Sequence, residues 1–335
     1  MKPRLRHVAE VAGVSQATVS RVLNGKAGVA ETTRRSVLRA LTDLGYEPVG
    51  VGRTRRTGLV GLIVPELDNP VFPRLAQALE SRLAAQGQTT VLCTSTPAGV
   101  QEEAYLDVLL DHAVTGIVLV SGEHSDREAD HGRYHDLVAR GVPTVVVNGR
   151  APGLELPSVT VDHVAAARQA VGHLAALGHR RIGLAIGPRR YVHTEELLTG
   201  YREGLDAAGL PRDDGLVAEA LYGIEGGHAS GDRLLGVGAT AVACASDLVA
   251  LGVVRAARDR GAEVPRDVSV VGFDDAGPNA YVDPALTSVR QPFDAMADAV
   301  VRLLTDRVAD PASPPTELRF RPELVVRAST DAAPR

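Results

Sequence analysis

Hydrophobic positions divide the chain into two regimes of different period. In residues 4–45 they recur at helical spacing, with Leu5, Val8, Ala9 and Ala12 in one stripe that Gly13 and Val14 interrupt. Ser15 stands where an N-cap is expected, ahead of Val19, Val22 and Leu23 on one face of a second helix. A third stripe runs through Val37, Leu38, Leu41 and Leu44, and Gly45 occupies the position at which helices are commonly stopped. Three short helices about one tight turn predict a helix-turn-helix unit.

From Leu59 the pattern changes to short, nearly continuous apolar runs separated by longer amphipathic stretches. The runs are LVGLIV (59–64), TVLCT (90–94), GIVLV (116–120), TVVVN (144–148), SVTV (158–161), RIGLAI (181–186), TAVACA (240–245) and VSVVGF (268–273). Strands buried on both faces read this way, and helices between most of them predict parallel sheets of βαβ units. The region is long enough for two such sheets. Between the two regimes lies VGVGRTRRTG (49–58), rich in Gly and Arg, and PASPP (311–315) reads as a surface loop. The expected class is α/β, with an all-α helix-turn-helix head over 1–48, a joint over 49–58, and a body over 59–330 made of two doubly wound parallel sheets.

Charge sharpens this division. Residues 1–60 hold 11 Lys and Arg against 4 Asp and Glu, whereas the rest holds 25 against 37. A basic head on an acidic body is expected when only the head meets a polyanion, because neutralised phosphates supply much of the affinity of DNA-binding modules. The two cysteines, Cys93 and Cys244, lack the spacing of a disulfide framework or a zinc site and suit a reducing compartment. The first residues, MKPRLRHVAEVAG, contain no apolar signal region, and no run is long enough to span a bilayer, so a cytoplasmic location with no membrane partner is expected.

With Val19, Val22 and Leu23 turned inward, the second helix presents Gln16, Ala17, Ser20 and Arg21 outward. Gln can pair bidentately with adenine and Arg with guanine in the major groove, while Ala can contact a thymine methyl. The segment VAEVAGVSQATVSRVLNG (8–25) resembles the head of the LacI/GalR family of bacterial transcription repressors. The resemblance continues through TVDHVAAARQAVGHLAALGHRRI (160–182), SDLVALG (246–252), VPRDVSVVGFDD (264–275), LTSVRQP (286–292) and PELVVRAST (322–330), in family order. It implies a regulator, and more specifically a repressor, that binds palindromic double-stranded DNA as a homodimer under the control of a small-molecule effector, most often a sugar. It also implies base contacts at Gln16, Ala17, Ser20 and Arg21 and phosphate contacts at Thr18 and Asn24. Ser15, Arg53 and Arg55 complete the expected DNA-binding set.

The implied body is that of a type I periplasmic sugar-binding protein, whose strand ends meet at a cleft. Residues just after strands are therefore the effector candidates: Asn69, Phe72, Asn148, Arg190, His193, Tyr222, Ser246 and Asp274. The resemblance matches Asp274 to an aspartate that takes ligand hydroxyls, Tyr222 to a stacking aromatic and Asn148 to a ligand-facing Asn or Asp. Phe72, Tyr222, Phe273 and Phe293 are expected at or near the rim, where aromatic faces suit a sugar. Two positions depart from the pattern. Leu197 stands where relatives commonly carry a ligand-binding Arg, leaving Arg189, Arg190 or His193 to compensate, and Ser246 replaces a frequent Asn. Asp247 and Asp275 read as ties for a helix start or for strand ends.

An enzyme is the competing class, and little supports it. Asp274 and Asp275 are neighbours on an extended segment and point to opposite sides, and no nucleophile constellation accompanies them. GVG (50–52) lacks the context of a dinucleotide fingerprint. His131 and His135, spaced i and i+4, have no evident third metal ligand and read as exposed helix surface. No cofactor and no metal are expected. After the last matching motif only five residues remain, too few for a tetramerising heptad helix, so a dimer is the expectation.

The joint departs furthest from the family. Relatives carry a stretch of the form PNAAARSLRTG, whose Leu wedges into the central minor groove of the operator. Here Pro48 is followed by Val49, Gly50, Val51, Gly52, Arg53, Thr54 and Arg55, so Arg55 takes the place of that Leu. Glycines inside a helix cost about 1 kcal/mol each relative to Ala, and Arg can enter a narrow minor groove without unstacking bases. Operator binding should therefore bend DNA less than a Leu-bearing relative does. Gel-phasing measurements of the two complexes test this, and equal bends would refute it.

Overall fold

The computed structural model describes residues 5–23, 29–44, 58–96 and 99–334. Asn24, Arg53 and Arg55, named above as DNA contacts, lie outside these residues, as do Gly45 and the joint before Gly58. The chain divides into two compact units.

The head comprises α1 (Leu5–Ala12), α2 (Gln16–Leu23) and α3 (Glu31–Asp43). Val8, Ala9, Val19, Val22, Val37, Ala40 and Leu41 bury one another at the centre, with Ala12, Val14, Val29 and Leu44 packed around them. The described members of the predicted stripes thus converge, except that Leu5 is exposed, and the side chains of Leu23 and Leu38 lie outside the described ones. As the first residue of α1, Leu5 stands beyond the cluster. Ser15 Oγ accepts the Thr18 backbone N–H at 3.1 Å, the N-cap geometry its position foretold.

The body holds two six-stranded sheets. Its first part runs β1 (Leu59–Val64), α4 (Val71–Ala85), β2 (Thr89–Thr94), α5 (Glu102–Asp111), β3 (Gly116–Val120), α6 (Gly132–Ala139), β4 (Thr144–Val147) and β5 (Ser158–Val161). The second part continues with α7 (His163–Ala176), β6 (Ile182–Ile186), α8 (Val192–Ala207), β7 (Val217–Glu219), α9 (Ile224–Gly236), β8 (Ala241–Cys244), α10 (Asp247–Asp259), β9 (Ser269–Asp274) and β10 (Thr287–Arg290). The chain then returns through α11 (Phe293–Ala309) and β11 (Glu317–Phe320) to the first sheet, and through β12 (Glu323–Val325) to the second. The orders are β11-β5-β4-β3-β1-β2 and β12-β10-β9-β8-β6-β7.

Apart from the edge strand β2, whose Leu92 is exposed, the strands read from apolar runs are buried on both faces. In the second sheet Leu184, Ile186, Ala241, Ala243 and Val271 meet residues of α7 and α8. The alternating Ala185, Val242, Cys244 and Val270 meet Leu234 of α9 and Val249, Ala250 and Val253 of α10. In the first sheet, Leu62, Val118 and Val145 pack with Leu79 of α4 and Met296 and Val300 of α11.

Four strands were not among the predicted runs: β7, β10, β11 and β12. Three of them are sheet edges of three or four residues, too short to form a continuous apolar run. β10 is internal and buried, but its Thr287 and Ser288 satisfy their hydroxyls on Thr330 and Asp247 instead of being apolar. β12 also corrects the all-parallel expectation, since it runs antiparallel to β10. The chain leaves β11 at that strand's carboxyl end and enters the second sheet from the same side, so it can only run backwards along it. Asp331 and Ala333 still bond into the second part of the body, on Ser269 and Leu177.

Helices α9 and α10 approach so closely that two glycines are indispensable. A Cβ on Gly252 would lie 2.2 Å from the Ile224 carbonyl oxygen, and one on Gly227 2.2 Å from that of Val249. Backbone cannot rotate away as a side chain can. Gly252→Ala should therefore lower stability by roughly 1–3 kcal/mol, the usual cost of overpacking. Urea unfolding measures it, and a midpoint equal to that of the wild type would refute the close-packing argument.

Candidate functional site

On the head, α2 exposes Gln16, Ala17 and Arg21, while Ser20 is half-buried. Exposed Gln and Arg five residues apart on this short helix suit a major groove. Thr18, expected on a phosphate, has its hydroxyl 2.9 Å from Ser15 Oγ, so these two side chains serve the start of the helix.

In the body, the carboxyl ends of both sheets open onto one cavity of about 600 Å³, within the range of small-molecule sites. Every predicted effector residue lines it: Asn69, Phe72, Asn148, Arg190, His193, Tyr222, Ser246 and Asp274. Three non-glycine residues on its wall hold positive φ, namely Ser121 (48°), Asn148 (66°) and Asp274 (106°). Such strain persists only where the surroundings over-determine it, and it concentrates at ligand sites.

Polar atoms on this wall are partly unmatched. Asn148 Nδ2 donates to Ser121 Oγ at 2.9 Å, and its Oδ1 is buried without a partner. Gln291 Nε2 donates to Asp274 Oδ1 at 2.6 Å, and its Oε1 is likewise unpaired. His193 Nδ1 is the third such atom. An unpaired buried polar group costs about 1–3 kcal/mol, so a ligand that pairs with these atoms recovers that cost. Burial, then the neighbouring Asp247, hold the Asp274 carboxyl well above the usual carboxylate range, against the bond from Gln291. Burial, with the His163 ring beside it, lowers His193 to about 3, so its imidazole is neutral at pH 7. That ring stacks on Tyr191 at 5.6 Å and leans on Tyr222 at 6.0 Å.

Other predicted residues fall differently. Phe293, expected at the rim, is in the core beside Met296, with the Arg74 guanidinium 5.1 Å from its ring centroid. As the first residue of α11 it points under the first sheet and not into the cleft. Ser246 lines the cavity, yet its Oγ accepts from Val249 N–H at 3.2 Å as the N-cap of α10. Asn69 Oδ1 likewise accepts from Val71 N–H at the start of α4. Leu197, where an Arg was expected, lines the cleft. Arg189 turns away to Glu195, at 2.6 Å. Arg190 reaches across to Asp126 at 2.9 Å, and its carbonyl accepts the Arg127 N–H, so the loops after β3 and β6 touch over the cleft.

Asp275 and Asp247 tie strands together. Asp275 pairs with Arg290 and Arg327, and Asp247 accepts from Ser288 Oγ. Asp274 faces the cavity instead, so the two adjacent carboxylates do point apart. His131 is not on a helix surface: it precedes α6 with Nε2 2.8 Å from the Asp126 carbonyl oxygen. Among the described residues no group of three or more His, Cys, Asp or Glu could hold a metal ion, and no helix is long and apolar enough to cross a membrane. Sequence reasoning missed Glu102, Ser121, Tyr191 and Gln291, all on the wall. Gln291 directly follows β10, and reading that strand would have found it.

Known proteins extend the picture. The profile of bacterial regulatory proteins of the lacI family matches residues 4–49, and that of a periplasmic binding protein-like domain matches residues 171–330. The HTH-type transcriptional regulator MalR of Streptomyces coelicolor is 51% identical, with 100% of this chain and 98% of that protein covered. The HTH-type transcriptional regulator CelR of Thermobifida fusca is 36% identical, covering 98% of both. A solved CelR–cellobiose complex superposes with a TM-score of 0.74 at 36% identity, covering 98% of this chain and 100% of that one. The lac repressor dimer bound to operator and the anti-inducer ONPF gives 0.70 at 28% identity, covering 99% of this chain and 100% of that one.

Glu102 carries the clearest pH signature of the cleft. Burial raises its carboxyl from the usual 4.5 to about 7, partly offset by the Tyr134 hydroxyl that donates to it. The folded chain keeps a proton that the unfolded chain has lost, so this contribution is full below about pH 4.5 and fades as pH rises through about 7. Glu102→Gln removes the titration. The melting temperature of the variant minus that of the wild type should rise between about pH 5 and about pH 8, equivalent to roughly 1–3 kcal/mol. A difference independent of pH would refute it.

Proposed function

The chain belongs to the LacI family of bacterial regulatory proteins and is a DNA-binding transcriptional regulator, and we propose that a neutral carbohydrate held in the body cleft controls its hold on a palindromic operator. What carries this reading is the convergence in one cavity of three strained residues and three unpaired buried polar atoms. A ligand rich in hydroxyls answers both sides of that unmet demand, because each hydroxyl both donates and accepts. Aromatic faces at Phe72, Tyr191 and Tyr222 suit the apolar faces of sugar rings. Arg190 is the one Lys or Arg among the described lining residues, and Asp126 already holds it. Carboxyl groups dominate the rest of the charge, which disfavours an anionic effector such as a sugar phosphate. The cellobiose-bound relative supports the same ligand class.

The proposed DNA-contacting set is Gln16, Ala17, Ser20 and Arg21 on bases, Asn24 on phosphate, and Arg53 and Arg55 from the joint, with Arg55 at the minor groove, while Ser15 and Thr18 hold the start of the recognition helix beside the phosphates. A single three-helix head reads few bases, so two copies on a two-fold palindrome are the working form, as in the solved lac repressor dimer. The protein works in the cytoplasm as a repressor. Effector binding shifts the balance between arrangements of the two parts of the body and so changes how paired heads meet DNA.

Two substitutions separate the halves of this reading. Gln16→Ala or Arg21→Ala should relax base preference at one operator position each, a loss of roughly 1–3 kcal/mol of discrimination, in binding-site selection. Asp274→Ala should leave operator affinity intact while removing the response to effector. An unchanged selected motif would refute the recognition helix, and a retained effector response would refute the cleft.

A further inference from the structure

Two ion pairs among the described residues join the two parts of the body, and they stand at different places around the cleft. Arg190–Asp126 links the loops over it. Arg319–Glu196 stands where the chain passes between the sheets. Arg319 is on β11, next to Phe320, whose carbonyl accepts the Asp162 N–H at 2.8 Å just before α7 begins. It belongs to the first sheet, in register with Thr160 of β5, whereas Glu196 sits on α8 in the second part. Arg319 Nη1 lies 3.0 Å from Glu196 Oε1.

Glu196 is aimed at Arg319 from the cleft side. Its Oε2 lies 3.1 Å from Nδ1 of His163, the first residue of α7. The buried His163 ring lines the cavity, 5.6 Å from the Phe273 ring and 5.8 Å from that of His193. Burial alone would raise the Glu196 carboxyl, but the bond with His163 and the charge of Arg319 outweigh it and hold the group below the usual range, so it is ionised at neutral pH. Helices α7 and α8 meet backbone to backbone here. A Cβ on Gly200, one turn after Glu196, would lie 2.1 Å from the Val164 carbonyl oxygen. Packing that close leaves no slack, so His163 and Glu196 move as one piece.

We propose that the Glu196–Arg319 pair, aimed by His163, is the tie that sets the arrangement of the two parts of the body, which makes Glu196 and Arg319 positioning residues for operator binding. The proposal rests on the reading that this arrangement governs how the heads meet DNA, and it is independent of what the effector is. Its place explains its reach. When two bodies turn about their connecting strands, contacts far from the axis part first, and contacts beside the axis persist and fix where it runs. Arg190–Asp126, over the cleft, is of the first kind, and Glu196–Arg319, beside the crossovers, is of the second. A displaced His163 ring pulls on Glu196, and through Arg319 on β11, so the cleft wall has a path to the first sheet made of side chains alone. A brace that only stabilises the fold is the rival account, and it makes a different prediction.

The affinity of the full chain for operator, measured without effector on a duplex obtained by binding-site selection with the wild type, decides between the two. Both ties are formed in the same arrangement, so removing either shifts the balance away from it. Arg319→Ala and Glu196→Ala should each change operator affinity roughly threefold to fivefold, in the direction in which Arg190→Ala changes it. The double variant should do no more than either single one, because both remove the same contact. His163→Phe keeps a ring but frees Glu196, and should shift affinity the same way. Glu317→Gln is the control: it removes the 2.8 Å bond that Arg319 makes within its own strand, and affinity should stay within about twofold. Melting temperatures taken in parallel show that the variants fold. If Arg190→Ala moves operator affinity while the Glu196 and Arg319 variants only lower the melting temperature, or move affinity the opposite way, the tie is a brace and the proposal falls while the wider reading stands. If no variant of either pair moves operator affinity, both fall.

Discussion

In a parallel sheet all strands end on the same side, and that directional constraint organises the whole body. Hydrogen bonding along the strands and helices on both faces leave only the strand ends free to vary. Here two such sheets place their carboxyl ends around one cavity, so Asn148, Asp274, Ser121 and Gln291 gather from four different strands without being near in sequence. The crossovers after β5, β10 and β11 follow from the same constraint, and so does the reversal of β12.

The surrounding packing also explains how the site tolerates its own strain. Residues with positive φ and unpaired buried atoms each cost on the order of 1–3 kcal/mol. Val145, Val146, Val147, Val270 and Val271, at the base of Asn148 and Asp274, are almost wholly buried. These strands cannot relax without giving up apolar burial on two faces, so the strand ends stay where the layers put them. Ion pairs do comparable work at β9, where Asp275 is gripped by Arg290 and Arg327 and leaves Asp274 facing inward.

Legibility in the sequence followed burial. Eight strands announced themselves by near-continuous apolar runs, seven of them buried on both faces, and the head's three stripes converged because Val8, Val19 and Val37 share one small core. What stayed hidden was polar or short. β10 conceals Thr287 and Ser288 behind side-chain hydrogen bonds, and with it went Gln291. Glu102 follows β2 by eight residues, too far for a rule that looks just past a strand, and its partners Gly122 and Tyr134 lie on two other segments. Phe293 misled for the opposite reason: it follows a strand end, but as the first residue of α11 its ring goes to the core. Proximity to a strand end marks where a site can be, and the side chain's direction decides whether it takes part.

The contact over the cleft shows how little energy is needed to make such a site a switch. Arg190 and Asp126 join the two parts of the body, but Arg190 is about half exposed, and a pair of that kind contributes at most about 1 kcal/mol. One backbone hydrogen bond, from Arg127 to Arg190, adds a similar amount. A ligand that satisfies Asn148 Oδ1, Gln291 Oε1 and His193 Nδ1 has more to offer than these ties, because each of those atoms is already desolvated. Coupling between distant sites is typically 1–3 kcal/mol, the same range. Leu197, in place of a cation that would grip ligand from one wall alone, leaves recognition to groups drawn from both sheets. A ligand bridging both walls necessarily favours some arrangements of the two parts over others, and differential affinity of that kind is all that a switch requires.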